Sequence, residues 1–369
     1  MDLHEPDLRP VAPEPADPAS PRAPAVNPPI PAGPPPAGEA PPPAPPGRVP
    51  PRPWPGWLSA LLYLATFLLV AVAGKLVFYT PLAVLTYLKL GTEASAPGME
   101  ALLDPRILGP GTWILLTALA FLGEFGLVLG LTALLCRRVE RCSLAETGWF
   151  VRPTWQEPVV GLLLSVFFLV WVVGIGAALG WYEVRAAYSP YPGWAVLLVS
   201  LGILLPPAAV EELACRGYLY RALGRSWGPM GAVLGNALVF AVLHAANPGF
   251  EASPLAWVGL FLSGVYLTAA YRVTGNLWLV TFLHAGWNLM EGPVLGLPVS
   301  GTAPPISCLQ TLVSGPPLWT GGEFGPEAGL LLCLLLPIHM GLLWLIRPLF
   351  QRRVADSTSK NQGQRVRVS

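Results

Sequence analysis

Two adjacent carboxylates and a guanidinium, Glu211, Glu212 and Arg216, lie in a segment that is otherwise apolar enough to cross a membrane. Charged groups are costly in a bilayer, so such a cluster indicates a functional site. Glu212 and Arg216 are four residues apart and share one helical face, where they can pair. Glu211 points about 100° away from Glu212 and can act as a general base, while Arg216 neutralises and orients Glu212. The alternative is an ion-pair network that only holds helices together.

Two later apolar segments carry further polar side chains, His244 in one and His284 with Asn288 in the other. With a rise of about 1.5 Å per residue, the predicted helices bring Glu211, His244, His284 and Asn288 to similar depths, within roughly 10 Å in the cytoplasmic half. His244 can share the proton of a water held by Glu211, and His284 and Asn288 can donate to an oxyanion. The set predicts hydrolysis of a peptide bond by an activated water.

The same side chains suggest a metal site as the competing interpretation. Two histidines and one glutamate can hold a catalytic zinc ion with an open fourth position. The usual His-Glu-x-x-His helix is absent from the sequence, so the ligands would have to come from three helices. Asn288 is a poor zinc ligand but a good oxyanion donor, which favours water activation without a cofactor.

The composition is that of a membrane protein. Of the 369 residues, 53% are hydrophobic and only 12% are charged, against about 25% charged residues in soluble domains. We therefore predict an all-α, polytopic integral membrane protein with about eight transmembrane helices. The spans are expected at about 57–79, 112–135, 158–180, 195–222, 230–247, 255–271, 277–296 and 327–346. The net charge of +1 gives no indication of nucleic-acid binding, so the expected partners are the lipid bilayer and a peptide or protein substrate.

The basic residues predict the orientation of these spans. With a cytoplasmic N-terminus, twelve Lys and Arg side chains fall in inner segments and four in or near outer ones, as the positive-inside rule requires. Both termini are then cytoplasmic. The bias towards Arg, with 19 Arg and 3 Lys, and the abundance of Ala, Gly and Pro suggest a bacterial source. The expected location is the inner (cytoplasmic) membrane of the cell.

The chain divides by composition into five parts, of which the first contains 22 of the 44 prolines and is expected to be disordered. The parts are a proline-rich cytoplasmic tail (1–55), N-terminal transmembrane helices (56–194), a catalytic helical core (195–296), an outer loop with the last transmembrane helix (297–346) and a basic cytoplasmic tail (347–369). The glycine-rich stretch 320–327 is interpreted as a surface turn in preference to a re-entrant or lid element. Glu124 is expected to line the cavity or pair with another helix, and His339 to pack.

In order and spacing, these motifs resemble the CPBP family (CAAX proteases and bacteriocin-processing enzymes, also called the Abi family). Its pattern is Glu-Glu-x-x-x-Arg, then Phe-x-x-x-His, then His-x-x-x-Asn or Asp. The matching residues are Glu211, Glu212, Arg216, Phe240, His244, His284 and Asn288. The resemblance covers roughly 195–295. It implies an all-α intramembrane endopeptidase in which Glu211 and His244 activate water and His284 and Asn288 form the oxyanion hole.

Two other functional classes stay open. Bacterial members of the family are linked to peptide or bacteriocin processing, to self-immunity and to scaffold-like roles, so a non-catalytic scaffold or a bacteriocin self-immunity protein is the alternative. A transporter ranks last, because the sequence shows no internal repeat of the kind common in that class. A bacterial chain is not expected to meet prenylated CAAX substrates.

Overall fold

The computed structural model describes residues 54–90, 105–149, 154–187 and 191–366, without the side chains of 105–106 and 351–366. The predicted proline-rich tail lies outside the described residues except for its last two positions. Apolar runs of membrane length form helices, because only internal hydrogen bonds can satisfy the backbone in lipid. The main helices are α1 (Gly56–Leu90), α2 (Pro110–Leu135), α3 (Gln156–Ala178), α4 (Gly193–Glu212), α5 (Tyr220–Leu243), α6 (Ala256–Thr274), α7 (Trp278–Leu289) and α8 (Leu330–Val366). Shorter helical turns are Pro105–Leu108, Cys136–Glu140, Leu144–Thr147, Leu213–Leu219, Met290–Val294, Pro317–Thr320, Gly322–Phe324 and Pro326–Ala328.

Six helical stretches of the described chain are long and apolar enough to cross a membrane. One of them, Gly193–Leu243, contains two of the predicted spans, because the chain bends at Gly228, where φ is 69°. This left-handed conformation suits glycine, and Pro229 follows it. α7 is too short to be among the six, but Met290–Val294 extends it as a π-helical turn. Eight helical segments therefore correspond to the eight predicted spans, and the prediction of an all-α, multi-pass membrane protein is confirmed.

The helices that carry the site pack closely. α3 lies against α7, α5 against α6, and α4 against α7. On α6, a Cβ atom at Gly264 would lie only 2.8 Å from the Ala237 Cα atom on α5. Only glycine permits this approach, which is typical of helix interfaces in membranes.

The long segment between α7 and α8 returns to the protein interior. Its strand β2 (Leu309–Val313) pairs antiparallel with β1 (Tyr182–Ala186). Phe324 and Glu327 are buried, and the Gly301 N–H donates to the Phe324 carbonyl at 2.7 Å. The prediction of a surface turn at 320–327 is therefore wrong. Glycine at 325 allows the backbone to approach the Pro298 carbonyl more closely than any side chain would permit. The segment therefore folds inward, as the re-entrant alternative requires.

Candidate active site

The two adjacent glutamates lie at the end of α4, where the chain enters the π-helical turn Leu213–Leu219. Such wider turns within α-helices occur frequently at functional sites. Glu212 and Arg216 are both completely buried, and the distance from Arg216 Nη1 to Glu212 Oε1 is 2.9 Å. The ion pair expected from their spacing is thus present.

Arg216 has partners on two neighbouring helices. Its Nη2 donates to the Gly264 carbonyl at 3.0 Å, and its Nε lies 3.4 Å from Thr268 Oγ1. Its guanidinium carbon lies 4.8 Å from the centre of the Phe240 ring. The Thr268 hydroxyl also accepts a hydrogen bond from the Asn236 amide at 3.0 Å. A buried charge must be compensated in this way, and the network joins the end of α4 to α5 and α6.

Each imidazole is oriented by a hydrogen bond at Nδ1. His244, the C-cap residue directly after α5, donates from Nδ1 to the Phe240 carbonyl at 2.8 Å, because a carbonyl can only accept. His284, on α7, donates from Nδ1 to Glu212 Oε1 at 2.8 Å. Both rings therefore direct Nε2 towards Glu211. Phe240 supports the site with its backbone and with its ring, whose centre lies 4.5 Å from that of His244.

Glu211 lies between the two imidazoles. Its Oε2 atom is 3.8 Å from His244 Nε2 and 3.9 Å from His284 Nε2. These distances exceed a direct hydrogen bond and suit a bridging water. Glu211 Oε2 has no hydrogen-bond partner in the described part of the chain, although about a third of the side chain (34%) is exposed. The geometry leaves a carboxylate oxygen and two imidazole nitrogens available to one small molecule.

Asn288 lies one turn after His284 on α7 and is partly buried. It lines, with His284 and Phe240, a small cavity of about 20 Å³. An amide there is available to donate hydrogen bonds to a group bound beside His284. The structure thus brings the predicted residues of α4, α5 and α7 to one site, while their individual roles stay predictions.

No set of three or more His, Cys, Asp and Glu side chains has a metal-binding arrangement among the described residues. Glu212 is engaged by Arg216 and His284, which leaves Glu211 and the two imidazoles as the donors for the zinc alternative.

Two buried glutamates near the site were missed by sequence reasoning. Glu291 is fully buried, and its Oε2 accepts a hydrogen bond from Trp287 Nε1 at 2.9 Å. It follows His284 by seven residues and Asn288 by three, so helical periodicity alone would have placed it on their face. Glu327 is buried and accepts a hydrogen bond from the Ser300 hydroxyl. Its position in a glycine-rich loop carried no such signal.

Two other ionisable residues were singled out from the sequence, His339 and Glu124. His339 packs, as predicted: its Nδ1 lies 2.9 Å from the Tyr266 hydroxyl, and its ring centre is 4.5 Å from that of Phe168. Glu124 on α2 lies beside α1, with its Cγ 3.8 Å from the position of a Cβ atom at Gly74. It is close enough to Lys75 on α1 and to Glu211 to interact electrostatically with both side chains.

Comparison with known proteins gives one family. Residues 192–290 match the sequence model of the family described as type II CAAX prenyl endopeptidase Rce1-like. This range includes all three motifs, and the resemblance to CAAX proteases of the CPBP family is confirmed there. Comparisons with curated proteins and with solved structures gave no match.

Proposed function

We propose that this chain, which over residues 192–290 matches the type II CAAX prenyl endopeptidases, is a glutamate-type intramembrane endopeptidase. It hydrolyses a peptide bond of a membrane-associated protein or peptide. The observation that carries the proposal is the Glu211 Oε2 atom, which has no hydrogen-bond partner among the described residues and lies 3.8 and 3.9 Å from two oriented imidazole nitrogens. For a water to attack a carbonyl carbon, groups that accept its proton must lie within hydrogen-bond reach of it, and here these are the Glu211 carboxylate and the His244 imidazole.

In the proposed reaction, a water bound between Glu211 and His244 loses a proton to this pair as its oxygen attacks the scissile carbonyl carbon. The tetrahedral intermediate carries an oxyanion, which receives hydrogen bonds from the Asn288 amide and His284 Nε2. His284 can donate from Nε2 only when both ring nitrogens are protonated. Glu212 supports that state by accepting a hydrogen bond from the Nδ1–H group, which stays on the ring. The proton taken from water then passes to the leaving amine, and the peptide bond breaks.

We further propose that the water is activated without a metal. The amide of Asn288 beside His284 suits an oxyanion better than a zinc ion. Zinc held by Glu211, His244 and His284 is the alternative that a chelator distinguishes.

An apolar cavity of about 230 Å³ lies between α2 and α4. It supports the proposal that the substrate enters the site from the lipid. Leu204 and Ser200 line the cavity from α4. They precede Glu211 by seven and eleven residues, which places all three on roughly one face of the helix, with Leu204 about 10 Å along the axis from Glu211. The expected membrane is the bacterial inner membrane, with both termini cytoplasmic.

The proposal is tested by cleavage of a peptide library with detergent-purified protein. Glu211→Gln, His244→Ala and Asn288→Ala should each lower the cleavage rate by about 10²-fold or more while the protein still folds. Glu183→Gln is the matched control, because Glu183 is 60% exposed on β1. Loss of activity with chelator and its return with zinc would favour the metal alternative. Wild-type turnover in a folded Glu211→Gln variant would contradict the assigned roles.

The buried network around Arg216 favours a second candidate, a non-catalytic membrane scaffold or self-immunity protein. In that case the polar groups only hold helices together. A cellular phenotype of the gene deletion should then be rescued by Glu211→Gln but not by Arg216→Ala. Rescue by neither variant, together with measurable cleavage by the wild type, supports the enzyme.

A further inference from the structure

Glu327 brings a carboxyl group to the site from outside the segment that matches the family. It lies on the short turn Pro326–Ala328, just before α8, and is only 6% exposed. The Ser300 hydroxyl donates to its Oε2 atom. Gly259 on α6 permits this placement, because any Cβ atom there would collide with the Glu327 carbonyl. The backbone of the segment is therefore held directly against α6.

Glu327 lines the same small cavity as Asn288 and His284. The cavity volume of about 20 Å³ is enough for one water molecule. Ser263, one turn after Gly259 on α6, also lines the cavity and is only 7% exposed. The Ser263 Oγ atom has no hydrogen-bond partner within the described residues. A buried hydroxyl of this kind normally has a partner, so the cavity contains the polar groups that a bound water needs.

We propose that one water in this cavity links Glu327 and Ser263 to the Asn288 amide, and that Glu327 is a positioning residue that orients Asn288. The inference rests on the proposed function, since it assigns the support of the oxyanion donor. It adds a residue from the segment after α7 to a site otherwise built from α4, α5 and α7.

The physical reason lies in the chemistry of the amide. An asparagine side chain presents an acceptor oxygen on one side and a donor NH₂ group on the other, and rotation by about 180° exchanges them. Only one of the two orientations serves an oxyanion. A carboxylate supplies acceptors only, so the water donates one hydrogen to Glu327 and the other to Ser263 Oγ. It can then only accept from Asn288, which holds the NH₂ group on the side of the cavity. One N–H then bonds to the water, and the second is directed to the oxyanion. Groups that orient metal ligands by hydrogen bonds commonly change activity by about 10–100-fold, and we expect a loss of the same order from a group that orients an oxyanion donor.

The test uses the full-length protein in detergent and the best-cleaved peptide of the library. Glu327→Gln should lower kcat by about 10–100-fold with KM changed less than about threefold, because the interaction acts on the transition state. Ser263→Ala should lower kcat by a smaller factor of roughly 3–10. The matched control is Glu323→Gln, an exposed acid four residues earlier in the same segment, which should keep wild-type kcat.

The double variant Glu327→Gln/Ser263→Ala separates positioning from simple structural support. Because both side chains hold the same water, the double variant should have about the kcat of Glu327→Gln alone. The inference would be overturned if the loss of kcat in the double variant equalled the product of the two single losses. It would also be overturned if the variants changed KM alone. Should Glu327→Gln fail to fold, Ser263→Ala decides by itself: an unchanged kcat at an unchanged melting temperature would also overturn it. A wild type that cleaves no peptide refutes the proposed function instead, so the two failures are distinguishable.

Discussion

Replacing Arg216 with methionine removes a completely buried charge and leaves the Glu212 carboxylate with its hydrogen bond from His284 Nδ1 but without the guanidinium. Methionine is unbranched and occupies much of the same space, so the change tests charge more than volume. It also leaves the Gly264 carbonyl without the donor that now lies 3.0 Å away. The stability of the variant therefore measures how much the fold depends on the ion pair that compensates the buried Glu212 carboxylate.

The expected magnitude follows from burial. Breaking a buried ion pair by removing one partner costs about 3–5 kcal/mol, because the remaining charge loses most of its compensation. With roughly 2–4 °C per kcal/mol for a chain of this class, the melting temperature should fall by roughly 6–20 °C. The double variant Glu212→Gln/Arg216→Met buries no charge at this point and should recover most of the loss.

Thermal unfolding of the purified protein in detergent measures these shifts. Arg221→Met is the matched control, because Arg221 is 33% exposed and its partner Glu146 is 45% exposed. An exposed pair of this kind contributes about 0–1 kcal/mol, so the control should shift the melting temperature by no more than roughly 4 °C. Equal shifts for the two single variants, or a double variant less stable than Arg216→Met, would refute the reasoning.

Three further predictions concern close packing and one buried hydroxyl, and thermal unfolding measures all of them. Gly264→Ala introduces a methyl group 2.8 Å from a carbon of the facing helix and should cost about 1–3 kcal/mol. Gly130→Ala, which has open space, should not destabilise, and equal losses would contradict the packing argument. Gly259→Ala forces a methyl group into the Glu327 carbonyl and should lower both the melting temperature and the cleavage rate; unchanged cleavage would show that the segment can shift harmlessly. The hydroxyl of the fully buried Tyr63 lies 2.8 Å from Thr132 Oγ1. Thr132→Val removes this partner and should cost about 1–3 kcal/mol of folding free energy. A melting temperature close to that of the wild type would contradict this prediction.

The membrane class and the order of helices could be predicted because they depend on local apolar length. A run of about 20 apolar residues must form a helix in lipid whatever its neighbours are. The Glu212–Arg216 pair was predictable for a similar reason, since residues four apart on a helix are neighbours before any tertiary contact forms. The bond from His284 to Glu212 was not, because it joins residues 72 positions apart.

The wrong prediction for 320–327 has a specific cause. Glycine, proline and acidic residues are typical of surface turns, yet here glycines at 301 and 325 let backbone segments meet at distances that side chains would forbid. Glu327 is buried because these backbone segments lie so close together and because the Ser300 hydroxyl donates a hydrogen bond to its carboxylate. Residue type alone predicts neither the close approach of the backbone segments nor the hydrogen bond from Ser300.

The amino-acid sequence by itself determined that this is an all-α membrane protein. It also identified the side chains of α4, α5 and α7 whose burial in lipid costs too much without a function. Both conclusions were possible because the free energy of transfer into lipid and the helical period are properties of short segments. Only the tertiary structure decided that Glu211 lies 3.8 and 3.9 Å from two imidazoles, and that the segment before α8 returns to bury Glu327 beside Asn288. Those distances depend on how closely helices and loops approach, and that is set by packing between residues far apart in the chain.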